Sequence, residues 1–69
     1  MGVRMIPVHS SNLSSVGYDN GTLYIRFHTG FTYWYANVPI EIYQTLMATP
    51  HKGEYFHNHI ERKFEYGRC

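Results

Sequence analysis

Phe31-Thr32-Tyr33-Trp34-Tyr35-Ala36-Asn37-Val38-Pro39 places four aromatic residues within five positions and closes on a proline. Aromatic and β-branched side chains fit a pleated, half-buried surface, so this stretch reads as a strand. Successive strand side chains point to opposite faces, so four large rings on one short strand cannot all enter one core. Some face outward, where a ring serves as an interface or a binding surface.

Working outward from that strand, Asp19-Asn20-Gly21 is a turn signal. Thr22 to Phe27 alternates, with Leu23, Ile25 and Phe27 on one face and Tyr24 and Arg26 on the other. Leu13 to Tyr18 reads as a first strand with Leu13, Val16 and Tyr18 as its apolar positions. Val3 to Val8 is extended and broken by Pro7, which suits an edge or a strand start. Pro39 fits the first turn of a helix, in which Ile42, Tyr43, Leu46 and Met47 follow helical spacing up to Thr49-Pro50. His51-Lys52-Gly53 is a short link, and Phe56, Ile60 and Phe64 recur every four residues as a second helix or helical turn. Strands first and helices second give an α+β class: a three-stranded antiparallel β-meander followed by two short helices packed on one face.

The hairpin at His28-Thr29-Gly30 has two registers. A two-residue turn at Thr29-Gly30 pairs His28 with Phe31 and sends Trp34 inward. A three-residue loop with Gly30 in the left-handed region pairs Phe27 with Phe31, which sends Tyr33 and Tyr35 into the core and Trp34 outward beside Tyr24 and Arg26. A slip of one residue exchanges the faces. Gly30 stands where the second loop needs a left-handed residue, and that register is favoured.

The chain has 69 residues, a single domain over 1–69. A core this small is marginal, a deficit that the 17% aromatic content offsets in part and that oligomerisation commonly remedies. The formal charge of +1 argues against a protein built for non-specific duplex binding, while five histidines would make the chain clearly basic at mildly acidic pH. The single cysteine, Cys69, excludes an intramolecular disulfide and fits a reducing compartment. No stretch approaches a membrane span, and the N-terminus lacks the apolar region of a secretion signal, so the cytoplasm is the expected location.

Chemistry-bearing residues are sparse. His57 and His59 are two apart and diverge on a helix. With His51 and Glu54 they do not form a four-ligand zinc pattern, so no metal is expected. His9 beside Ser10 is adjacency rather than a triad, and neither a paired-carboxylate signature nor a phosphate loop is present. No catalytic residue and no cofactor are expected. Tyr24, Arg26 and Trp34 can form a platform on which bases stack and arginine meets phosphate. The plainer alternative is a protein partner covering the same face. Ser10-Ser11-Asn12 can hold an anion or simply cap local backbone, and Lys52 before a helix can add a cation to that loop.

The ordered series Pro7-Val8, Ser10-Ser11-Asn12, Gly17-Tyr18, Thr22-Leu23, Phe27, Gly30, Tyr33-x-Tyr35, Val38-Pro39, Tyr43, Leu46, Lys52-Gly53, Tyr55-Phe56 and Ile60 resembles the KTSC domain, a small module named for the C-terminus of some lysyl-tRNA synthetases. In that family the position between the two tyrosines is often polar, which agrees with an outward Trp34. The resemblance implies RNA binding, suggested by the synthetase setting, and it also fits short stand-alone proteins. His51, His57, His59 and Glu61 depart from the serine, asparagine or basic residues of similar sequences. The expectation is a small non-catalytic module binding RNA or a nucleotide-like ligand through Ser10, Ser11, Asn12, Tyr24, Arg26, Trp34 and Lys52. The alternative is a protein-interaction or self-assembling module, of which a phage-encoded inhibitor that sequesters a host protein or signalling nucleotide is one form.

Overall fold

The computed structural model describes residues 2–69, and its sheet is wider than the sequence suggests. The chain runs β1 (Ile6–Pro7), β2 (Leu13–Asp19), β3 (Thr22–Phe27), β4 (Thr32–Tyr35), α1 (Ile40–Ala48), α2 (Lys52–His59) and β5 (Tyr66–Arg68). The five strands form one antiparallel sheet in chain order, not the three-stranded meander expected. The two additions are edge strands of two and three residues: β1 lies within the Val3–Val8 stretch read as extended, and β5 has no counterpart among the expected elements.

The β2–β3 hairpin turns on Asn20 and Gly21, both at positive φ (52° and 88°), the geometry of a two-residue turn whose twist matches the strands. The β3–β4 hairpin adopts the register favoured from Gly30. Phe27 pairs with Phe31 through an N–H···O bond of 3.0 Å, and Gly30 sits at φ 98°. Tyr24 therefore lies opposite Trp34, and Ile25 opposite Tyr33.

In β2, Leu13 and Val16 are three residues apart and would fall on opposite faces of a regular strand. A bulge between Leu13 and Ser15 restores them to one face, where Leu13 lies opposite Phe27 and Val16 opposite Ile25. The core is Leu13, Val16, Leu23, Ile25 and Tyr35 from the sheet, Val38 before α1, Leu46 from α1, and Phe56 and Ile60. Both helices thus cover the same sheet face. Tyr18 pins α1 to it, stacking on Tyr43 at 4.9 Å and donating its hydroxyl to the Val38 carbonyl at 2.6 Å.

Pro39 directly precedes α1 rather than lying within its first turn, and Thr49-Pro50 follows its end. The expected link at His51-Lys52-Gly53 is shorter than read, because Lys52 and Gly53 open α2. The second helix also stops before Phe64: its C-cap is Ile60, and Arg62 at φ 63° turns the chain back toward the sheet as β5. Phe64 keeps its four-residue spacing only because this turn leaves it packed against the same core.

Candidate binding groove

The inner sheet face is filled by the aliphatic Leu13, Val16, Leu23 and Ile25 of β2 and β3, and by rings from Phe27 at the end of β3 and from β4 and β5. Tyr33 and Tyr35 point inward from β4, and β5 adds Tyr66 opposite Tyr35. Rings meet at larger separations than interlocked aliphatics. Phe27 lies edge-on to Tyr33 at 5.7 Å and to Phe56 at 5.4 Å, Tyr35 lies edge-on to Phe56 at 5.6 Å, and Tyr66 stacks beside Tyr35 at 5.9 Å. The result is an open groove of about 840 Å³ between this ring floor and α2 with its following turn.

The groove has a polar rim. Ser11, Asn12 and Gly53 close one end, and His28 and Thr29 of the β3–β4 loop stand beside them. His57 of α2 and Glu61 and Arg62 of the turn after it form the opposite wall. His57 Nδ1 and Glu61 Oε1 are 2.8 Å apart, one helical turn from each other. Burial first, and then the Glu61 carboxylate, hold the Tyr35 phenol well above its usual value, so it is the neutral hydroxyl that faces the groove. At the β5 side the Arg68 guanidinium lies 4.7 Å from the centre of the Phe31 ring, which is 51% exposed.

The residues singled out from sequence divide among three places. Tyr24, Arg26 and Trp34 do share the outer face of the sheet. Trp34, however, lies flat over Gly67: a Cβ there would sit 2.6 Å from Trp34 Cζ2, so the glycine exists to admit the ring. The same face is covered further along by Val3, Arg4 and Met5 crossing Gly17. Ser11 and Asn12 belong instead to the groove on the opposite side. Asn12 packs on Gly53, at 3.4 Å from where a Cβ would stand, and so the serine loop does meet the start of α2. Ser10 serves the loop itself. Its Oγ accepts the backbone N–H groups of Asn12 and Leu13, and its carbonyl lies 2.8 Å from His28 Nε2. Lys52 reaches neither place: its Nζ donates to the Met47 and Thr49 carbonyls at 3.1 and 2.7 Å, closing the exposed end of α1.

The groove floor was not assembled from sequence. Its signal was present in two parts. The favoured register already turned Tyr33 and Tyr35 inward with Phe27, and the alternation Phe64, Tyr66, Arg68 has the period of a strand. Among the described residues no three His, Cys, Asp or Glu side chains converge as a metal site would require, and no helix is long and apolar enough to cross a membrane.

Residues 9–64 match the model of the KTSC domain. The chain is 36% identical over 62 residues to a protein of Tsukamurella paurometabola, covering 87% of this chain and 92% of that one. It is 42% identical over 45 residues, 65% of its length, to a lysine–tRNA ligase of Trichormus variabilis, of which it spans only 8%. The crystal structure of a KTSC domain protein from Yersinia pestis superposes with a TM-score of 0.91 at 37% identity, covering 99% of both chains. The chain belongs to the KTSC domain family.

Proposed function

We propose that this domain is a non-catalytic binding module whose aromatic groove takes RNA or a nucleotide-like ligand. The observation that carries the reading is the groove itself: rings from Phe27, Tyr33, Tyr35, Phe56 and Tyr66 gathered in one concavity, with Arg62 and histidines on its rim. A base stacks on an exposed ring with about 1–3 kcal/mol, a part that falls to the exposed Tyr66 with the half-buried Phe27 and Tyr33 beside it, while the buried Tyr35 and Phe56 form the floor beneath; arginine and protonated histidine meet phosphate. The volume lies within the range of roughly 300–1,000 Å³ usual for small-molecule sites. Similarity to part of proteins that act on a tRNA supports an RNA ligand. The outer-face trio Tyr24, Arg26 and Trp34 is the lesser candidate, because Trp34 already covers Gly67.

The test is titration with a short single-stranded RNA and with mononucleotides at several salt concentrations. A strand held through its phosphates loses affinity steeply with salt, and a single nucleotide in the groove loses less. Binding that survives Tyr66→Ala and Tyr33→Ala unchanged would place the ligand elsewhere.

A second reading rests on the half-exposed Phe31 and Tyr66, which are of the residue type that anchors protein interfaces. In that reading a protein partner, not a nucleotide, covers the groove mouth.

A further inference from the structure

The two edges of the sheet are not equivalent. At β1 the Val8 N–H bonds the Ser14 carbonyl, and Ile6 lies opposite Val16, so Ile6 and Val8 turn their backbone groups toward β2. The residue between them, whose groups face outward, is Pro7, which has no N–H to offer. Proline at an outward position is a standard guard against edge pairing.

At β5 the Ala36 N–H bonds the Glu65 carbonyl, and the Cys69 N–H bonds the Thr32 carbonyl. Backbone groups alternate along an antiparallel strand. Glu65, Gly67 and Cys69 therefore face β4, and the N–H and C=O groups of Tyr66 and Arg68 face outward with no proline among them. This open edge also carries Tyr66, 55% exposed, and is flanked by Phe31, 51% exposed. Among the described residues, two of the four exposed large apolar side chains thus stand at this border.

We propose that β5 is a self-association edge, on which a second copy of the chain pairs antiparallel through its own β5. The strand is self-complementary about Gly67. Centring a two-fold axis there sets Tyr66 opposite the partner's Arg68 and Arg68 opposite the partner's Tyr66. All four outward backbone groups of each copy are then paired. On the inner face each guanidinium, already against Phe31, gains a tyrosine ring on its other side. On the outer face Gly67 has no side chain of its own, and what each copy brings beside the axis is the Trp34 ring lying over that glycine. Because Pro7 closes the far edge, the contact is isologous and stops at two copies; head-to-tail growth of the sheet into a filament is blocked. The two ring-lined grooves, each bounded by Tyr66, then lie side by side on one continuous sheet face.

Sedimentation equilibrium of the intact chain, with amide hydrogen exchange on the same samples, tests this. The expected result is a concentration-dependent doubling of mass, with protection of the Tyr66 and Arg68 amides rising in step. Arg68→Pro removes one outward N–H while leaving the β4–β5 bonds, and should return the monomer. Tyr66→Lys, which opposes two cations across the axis, should do the same if the proline variant proves unfolded by circular dichroism. A mass that stays single up to millimolar concentration overturns the proposal. So does a dimer that survives both variants, or one that forms while both amides stay unprotected.

Discussion

The β2–β3 half of the inner sheet face and its β4–β5 half face the same helices, yet only the first closes. Leu13, Val16, Leu23 and Ile25 lose all contact with water against Leu46 and Ile60. Next to them, Phe27, Tyr33, Tyr35, Tyr66 and Phe56 meet edge-on, tilted or stacked at 5.4 to 6.3 Å, with Tyr35 and Phe56 buried at the floor and a groove left above them. Branched aliphatics interdigitate at crystal-like density, while rings keep their preferred offsets and enclose space at their margins. The first half is fully buried, and the second combines the buried Tyr35 and Phe56 with the open groove on which the proposed binding role rests.

Breaking the closed half should cost most. Leu23→Ala, at a fully buried position, is expected to destabilise the domain by roughly 2–5 kcal/mol in urea unfolding, with the groove lining otherwise unchanged. A loss below that range would mean that the aliphatic half is not the main source of stability.

At the outer border of the ring-lined half, Gly67→Val must displace the Trp34 ring from its seat. Overpacking of this kind costs typically about 1–3 kcal/mol, and the tryptophan emission should shift to the red as the ring is expelled into water. Unchanged emission would contradict the seating of Trp34 on Gly67.

The Tyr35 phenol sharpens the same contrast through pH. Its folded pKa is raised above the unfolded value near 10.0, chiefly by burial. The group therefore favours the folded state below pH 10, and that contribution is lost as pH rises toward the folded value. Unfolding free energy should fall above pH 10 by at most about 1.4 kcal/mol per pH unit from this group. Tyr35→Phe should remove that component of the slope, and an identical alkaline profile in the variant would refute the assignment.

The smallest effect on stability belongs to the groove mouth. Tyr66→Ala, at a half-exposed ring, should change unfolding free energy by less than about 1 kcal/mol, yet lower affinity for a single-stranded RNA by one stacking contact, about 1–3 kcal/mol. A variant that loses stability and keeps binding would reverse the roles of the two halves.

Much of the central sheet was legible in the chain. Leu23, Ile25 and Phe27 alternate cleanly, Asn20-Gly21 dictates a hairpin turn, and Gly30 selects the register that points Tyr33 and Tyr35 inward. The open half was less legible because it depends on contacts distant in sequence. A left-handed residue at Arg62, a residue type that rarely marks a turn, sends the chain back to form β5. Only that strand brings Tyr66 beside Tyr35 and places Gly67 beneath Trp34. Lys52 illustrates the same limit. Its place before a helix suggested an anion site, but its ammonium is held by the Met47 and Thr49 carbonyls, a partnership set by how α1 ends.

The most direct test of the central claim is a backbone and aromatic nuclear magnetic resonance titration of the intact chain with a short single-stranded RNA and, separately, with a mononucleotide. The groove account predicts shifts concentrated on Phe27, Tyr33, Tyr35, Phe56 and Tyr66 and on the neighbouring amides of Asn12 and Arg62, with Tyr24 and Trp34 little changed. Shifts confined to Tyr24, Arg26 and Trp34, or none with either ligand, would contradict it.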